Sequence, residues 1–154
     1  MSDIDASETT LRLERMIAAS PESLFALWVD PVQLVRWWAP DEYQASVAAL
    51  ETMPGGRWRV GLRGPDGAVS SMSGVYRVVE PPRRLAFSWA WDGENGARGH
   101  ESEVSVNFDA VPGGTRLVLV HRGFEGQPAR NRHNHGWTAA LDHLAGIARG
   151  DAGK

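Results

Sequence analysis

The chain has 154 residues, a formal net charge of −3, 42% hydrophobic residues, seven tryptophans and no cysteine. That length suits a single domain with its own core, and the slightly acidic balance lacks the basic footprint of a nucleic-acid binder. The missing cysteine removes a disulfide framework, a thiolate nucleophile and any cysteine-based metal site.

The polar, acidic start from Met1 to Thr10 has neither signal-peptide nor transit-peptide character, and is expected to be a flexible tail. No apolar run approaches the ~18 residues of a membrane span, so no membrane insertion is expected and a cytoplasmic location is the simplest expectation. Leu11, Leu13 and Ile17, set among Arg12 and Glu14, read as a half-buried strand. Ser20-Pro21 is a helix start, because a serine side chain can accept from a free N–H and proline at the first position loses no hydrogen bond. Leu24, Phe25 and Trp28 share one face of that helix. Asp30-Pro31 repeats the signal, and a second short helix directs Leu34, Val35 and Trp38 inward until Pro40 stops it.

From Tyr43 to Arg122 turn signals recur at Pro54-Gly55-Gly56, Gly64 to Gly67, Pro81-Pro82, Asp92 to Gly99 and Pro112 to Gly114. The intervening runs have strand length and predict an antiparallel meander of six. Trp58, Val60 and Leu62 alternate with arginines; Leu85, Phe87, Trp89 and Trp91 alternate with smaller residues; Val104, Val106 and Phe108 alternate with polar ones. One face of the sheet is therefore expected to look inward and the other toward water. Helical period returns near residue 126, with His133, Trp137, Leu141, Leu144 and Ile147 or Ala148 on one stripe as far as residue 149. Residues 11–149 then form one domain and 150–154 a second tail. The expected fold is α+β: a seven-stranded antiparallel sheet wrapped around a long C-terminal helix, with two short helices after the first strand.

Such a sheet buries its single apolar face under the last helix, and aromatics between the two tend to leave a cavity. Trp37, Trp38, Trp58, Tyr76, Phe87, Trp89, His121, Phe124, His133, Trp137 and Leu141 are the expected ligand-binding residues, on inward parity or at the mouth. His121 continues the inward face of Leu117 and Leu119, and His133 shares the Trp137 stripe. The pair could orient a ligand or exchange a proton, or each ring could simply satisfy a backbone group. Glu51, before the Pro54 turn, could act as a base at the mouth or cap the turn. These three are the candidate catalytic residues.

No metal is expected, because His133 and His135 stand two apart on a helix and do not face each other. Gly93, Gly96 and Gly99 read as a hairpin loop rather than a phosphate loop, since no helix follows them. The chain has no Gly-x-Ser-x-Gly motif, and no cofactor is implied.

Arg15, Ala19 to Phe25, Trp28, Asp30-Pro31, Trp37-Trp38, Gly55-Gly56, Pro65-Asp66-Gly67, Gly74-Val75-Tyr76, Pro82 to Leu85, Phe87, Trp89 and Gly136-Trp137 together carry a resemblance. The chain resembles the START-like helix-grip superfamily (SRPBCC), and within it bacterial proteins similar to the activator of the heat-shock-protein-90 ATPase. The resemblance implies the helix-grip fold. Its members bind apolar ligands, act as cyclases or hydroxylase subunits, or bind protein partners. The leading expectation is binding of a small apolar or amphipathic molecule rather than catalysis. A cyclase- or aldolase-like enzyme using His121 with His133 or Glu51 is the second reading, and a chaperone-associated interaction domain the third. A homodimer is left open.

Overall fold

A computed structural model describes residues 6–93 and 97–152. Its elements run α1 (Ala6–Thr9), β1 (Thr10–Ile17), α2 (Pro21–Val29), α3 (Pro31–Leu34), β2 (Gln44–Leu50), β3 (Arg57–Arg63), β4 (Val69–Glu80), β5 (Arg84–Trp91), β6 (Ser102–Val111), β7 (Gly114–Arg122) and α4 (Gln127–Ala152). The seven strands make one antiparallel sheet in the order β1-β7-β6-β5-β4-β3-β2. The last strand thus returns beside the first, and the expected α+β helix-grip layout is what forms.

Two boundaries differ from the expectation at the chain ends. Residues 6–9, read as tail, make one turn of helix, and β1 already begins at Thr10, paired with Arg122. At the other end α4 continues through Gly150 and Asp151, where Arg36 pairs with Asp151. Residues 1–5, 94–96 and 153–154, which include parts of both expected tails and Gly96 of the glycine loop, lie outside the described residues. No helix among the described residues is long and apolar enough to cross a membrane.

Local chemistry explains the short helices. Ser20 Oγ accepts from the Ser23 N–H at 3.1 Å, and Asp30 Oδ1 accepts from the Val32 N–H at 3.0 Å, each just ahead of a proline in the first turn. The Trp37 indole Nε1–H then reaches back to the Leu27 carbonyl at 2.8 Å and ties the segment after α3 to α2. The whole Trp37 side chain is buried behind this bond, so it belongs to the core and not to the mouth. Val35 is only half-buried, and Trp37 takes the inward place expected of it.

The grip itself follows from spacing. Trp137, Ala140, Leu141, Leu144, Ala145 and Ala148 are buried on one side of α4, while Asp142 and Arg149 face out. On the sheet, Trp58, Val60 and Leu62 of β3 point inward with Met72, Phe87, Trp89, Val104, Val106 and Leu119. β5 departs from simple alternation, because Ala86, Ser88 and Ala90 on its outer side are buried as well. They are small and lie between longer neighbours. Beside them Asp92, its side chain 8% exposed, takes Arg59, Ser71 and Ser73.

Gly74 makes one inward residue fit. A Cβ at this position of β4 would stand 1.8 Å from the Ser88 carbonyl oxygen and 2.5 Å from Trp58 Nε1. The bare backbone lets the Trp58 indole cross β4 and donate to that carbonyl on β5 at 3.0 Å. The ladder between β4 and β5 slips its register between Tyr76 and Val78 just beyond this crossing.

Candidate functional site

Between α4 and the β3–β5 part of the sheet lies a cavity of about 380 Å³. Its walls are Trp89 and Trp91 from β5, Leu62 from β3, Met72 from β4, and Trp38 with Pro40 from the segment after α3. Arg132, His133, Gly136, Trp137 and Ala140 of α4 complete it. The indoles stand close: Trp38 stacks on Trp89 at 5.6 Å between centroids, and Trp137 lies 5.4 Å from each of them. The space itself comes from α4, where Gly136 and Ala140 face inward one turn apart. A Cβ built on Gly136 meets nothing within 4 Å.

The structure divides the expected binding residues into groups. Trp38, Trp89, His133 and Trp137 line the cavity. Trp58, Tyr76 and Phe87 instead surround a separate void of about 10 Å³, too small to hold more than one water. They are core, and burial holds the Tyr76 phenol above its ordinary pKa. Trp37 and Leu141 are fully buried in the core. His121 and Phe124 stand behind the cavity wall, their rings 4.3 Å apart, and His133 packs on both.

The two histidines do meet, with centroids 5.3 Å apart, yet neither ring offers a free nitrogen. Trp137 Nε1–H donates to His121 Nδ1 at 3.0 Å, which leaves the proton on Nε2. Nε2–H then donates to Ser102 Oγ at 2.7 Å, and the serine hydroxyl turns to the Trp89 carbonyl at 3.4 Å. This chain fixes one neutral tautomer. Burial, with a smaller contribution from His133, pushes the His121 pKa down to about 2. The partners are side chains and not the backbone group that a purely structural histidine was expected to satisfy.

His133 is held in the opposite sense. Its Nδ1–H donates to the Ala129 carbonyl one turn earlier at 2.7 Å, and its Nε2 accepts from Trp91 Nε1–H at 2.9 Å. Burial lowers its pKa, the bond to Ala129 opposes that shift, and Arg132 adds to it. The helix is unbroken through residues 133–135, so His133 and His135 occupy different faces.

Glu51 belongs elsewhere. Its Oε1 accepts from the Arg57 N–H at 2.9 Å, capping the turn between β2 and β3. It lines a polar depression on the outer face of the sheet with Arg57, Arg59 and Asp92. It does not line the cavity and has no hydrogen bond to either histidine, so the turn-capping alternative is the one that forms.

Several lining residues were not singled out from sequence. Leu62 shares the parity of Trp58 along β3, and Gly136 with Ala140 shares the His133–Trp137 stripe, so periodicity held that information. Arg132 is exposed and stands at the rim.

A sheet closed on one long helix, with a cavity between them, defines a helix-grip protein. The family model described as Activator of Hsp90 ATPase homolog 1-like protein matches residues 18–149, and the chain belongs to that family. It is similar to the AHSA1 protein of Silicibacter pomeroyi, at 35% identity and a TM-score of 0.81 over 90% of this chain and 96% of that one. An AHSA1-like protein of Aeromonas hydrophila is 26% identical with a TM-score of 0.74, covering 92% and 93%. A Chromobacterium violaceum protein superposes with a TM-score of 0.85 at 21% identity over 92% and 97%, which is likeness of fold alone. No curated protein matches the chain significantly.

Proposed function

We propose that the protein holds a small apolar or amphipathic molecule in the cavity between the sheet and α4. The observation that carries this reading is the cavity itself: about 380 Å³, walled by four tryptophans, Leu62, Met72, Pro40 and Ala140. That size and lining fall in the range of small-molecule sites, which are mostly apolar with few polar groups. Acid–base catalysis by His121 draws no support from the geometry, because both ring nitrogens are engaged inside the protein. His133 touches the cavity, but its lone pair is taken by Trp91.

The test uses phenyl naphthylamine, an uncharged apolar fluorophore, with Gly136→Leu as the blocking variant. Leucine at this site enters open space and suits a helix better than glycine, so the fold is retained. Wild type is expected to bind the dye and quench tryptophan emission, and the variant to lose at least about tenfold in affinity, as filling the apolar space removes the burial that drives binding. Equal binding by a folded variant would rule the cavity out as the site.

A further inference from the structure

Resting on the reading that the cavity takes an apolar guest, we propose that this guest is an amphipathic monoanion whose oxyanion head sits at Arg132. Three N–H groups around the cavity are already committed, while Trp89 Nε1–H has no hydrogen-bond partner and offers only a buried, neutral donor. Trp91 Nε1–H is bonded to His133, Trp137 Nε1–H to His121, and His133 Nδ1–H to the Ala129 carbonyl. Arg132 is the charged residue of the wall, and no aspartate or glutamate among the described residues lines the cavity. It is exposed and makes no ion pair with any described residue. Its neighbour Arg130 is different, being bonded to the Thr10 carbonyl and to Asn131.

A guanidinium at the rim of an apolar cavity favours one class of head group. Its planar fork matches a carboxylate or sulfonate with two parallel hydrogen bonds. The low-dielectric wall also focuses its field into the opening, and that field already contributes to the lowered pKa of His133. A cationic guest would meet uncompensated repulsion there. A dianion would bring a second charge with no partner, and burying it against indoles is costly. One negative charge on an apolar body satisfies both the wall and the rim.

The experiment compares two fluorophores of the same skeleton, anilinonaphthalene sulfonate and uncharged phenyl naphthylamine, on wild type, Arg132→Gln and Arg132→Lys. Arg132→Gln is expected to weaken the anionic dye about 3- to 10-fold, the scale of a partly exposed charged pair. The neutral dye should stay within about twofold, because the apolar burial that holds it is unchanged. Arg132→Lys should recover part of the loss, since it keeps the charge without the fork. Added salt should narrow the gap between the dyes in wild type and not in Arg132→Gln. An equal effect of Arg132→Gln on both dyes, or on neither, overturns the proposal and leaves the apolar cavity standing. Failure of both dyes to bind wild type would overturn the cavity reading, and this proposal with it.

Discussion

The aromatic interior has two ends built from the same residue type with opposite results. At the closed end Trp28 and Trp37 approach to 4.5 Å between centroids, Phe108 lies 6.0 Å from Trp28, and the nearby void is about 10 Å³. At the open end Trp38, Trp89, Trp91 and Trp137 surround about 380 Å³. The difference lies in what faces the indoles. Large side chains from α2 and β6 fill the closed end, whereas α4 presents Gly136 and Ala140 at the open one. Aromatic content therefore marks the interior, and the small residues opposite decide whether it becomes core or cavity.

The largest expected effect breaks the closed end. Trp37→Ala removes a fully buried indole together with its bond to Leu27. A loss of about 3–5 kcal/mol is expected, measured by urea unfolding. A loss below about 1 kcal/mol would mean that this end packs no better than the open one.

His121, packed behind the wall of the open end, yields the next largest effect. Its folded-state pKa lies far below that of an unfolded histidine, so below about 6.5 the unfolded chain binds a proton that the native ring refuses. Stability from this source is complete above the unfolded pKa and drains away as pH falls toward the folded one. Between about pH 7.5 and about pH 5 it should cost about 2 kcal/mol, with His133 acting in the same direction. Denaturation of wild type and His121→Gln at both pH values checks this. An unchanged pH slope in the variant would show that the buried imidazole is not the source.

The His121 network also marks the limit of what the sequence discloses. The parity of Leu117, Leu119 and His121 placed the ring inward, just as alternation placed Trp89 and helical period placed Trp137. Its partner Ser102 lies diagonally across the β6–β7 ladder, two residues from the Val104 that pairs with His121. That neighbour depends on strand register, which alternation does not specify. The same holds for the cavity, since a volume is a difference between facing residues on separate elements. Trp58 and Phe87 have the right parity for a pocket and still end in the core. For Glu51 the sequence left mouth and turn cap both open, because a residue just past a strand end can direct its side chain to either face, and the structure shows the cap.

A smaller effect sharpens the role of the open wall. Gly136 and Gly146 both lie inside α4, and a Cβ on either meets nothing within 4 Å. Replacing each with alanine should stabilise the helix by up to about 1 kcal/mol, read as a shift in the unfolding midpoint. Only Gly136→Ala adds its methyl to the cavity, so only it should weaken phenyl naphthylamine binding. Equal affinity in the two variants would place the dye elsewhere.

The smallest effect comes from Trp91, 37% exposed at the edge of the open end. Trp91→Phe keeps an aromatic ring against the wall but removes the N–H donated to His133 Nε2 together with the five-membered ring that carries it. Stability should fall by no more than about 1 kcal/mol, the net worth of one neutral hydrogen bond. The informative readout is the His133 titration by NMR. A donor on Nε2 favours the unprotonated ring, so its loss should raise the pKa back toward the ordinary histidine value, while burial and Arg132 still hold it below. Arg132→Gln should raise the same pKa by a separate, salt-sensitive route. If neither substitution moves the His133 titration, the ring is not held between Trp91 and Arg132, and the open wall is looser than the geometry describes.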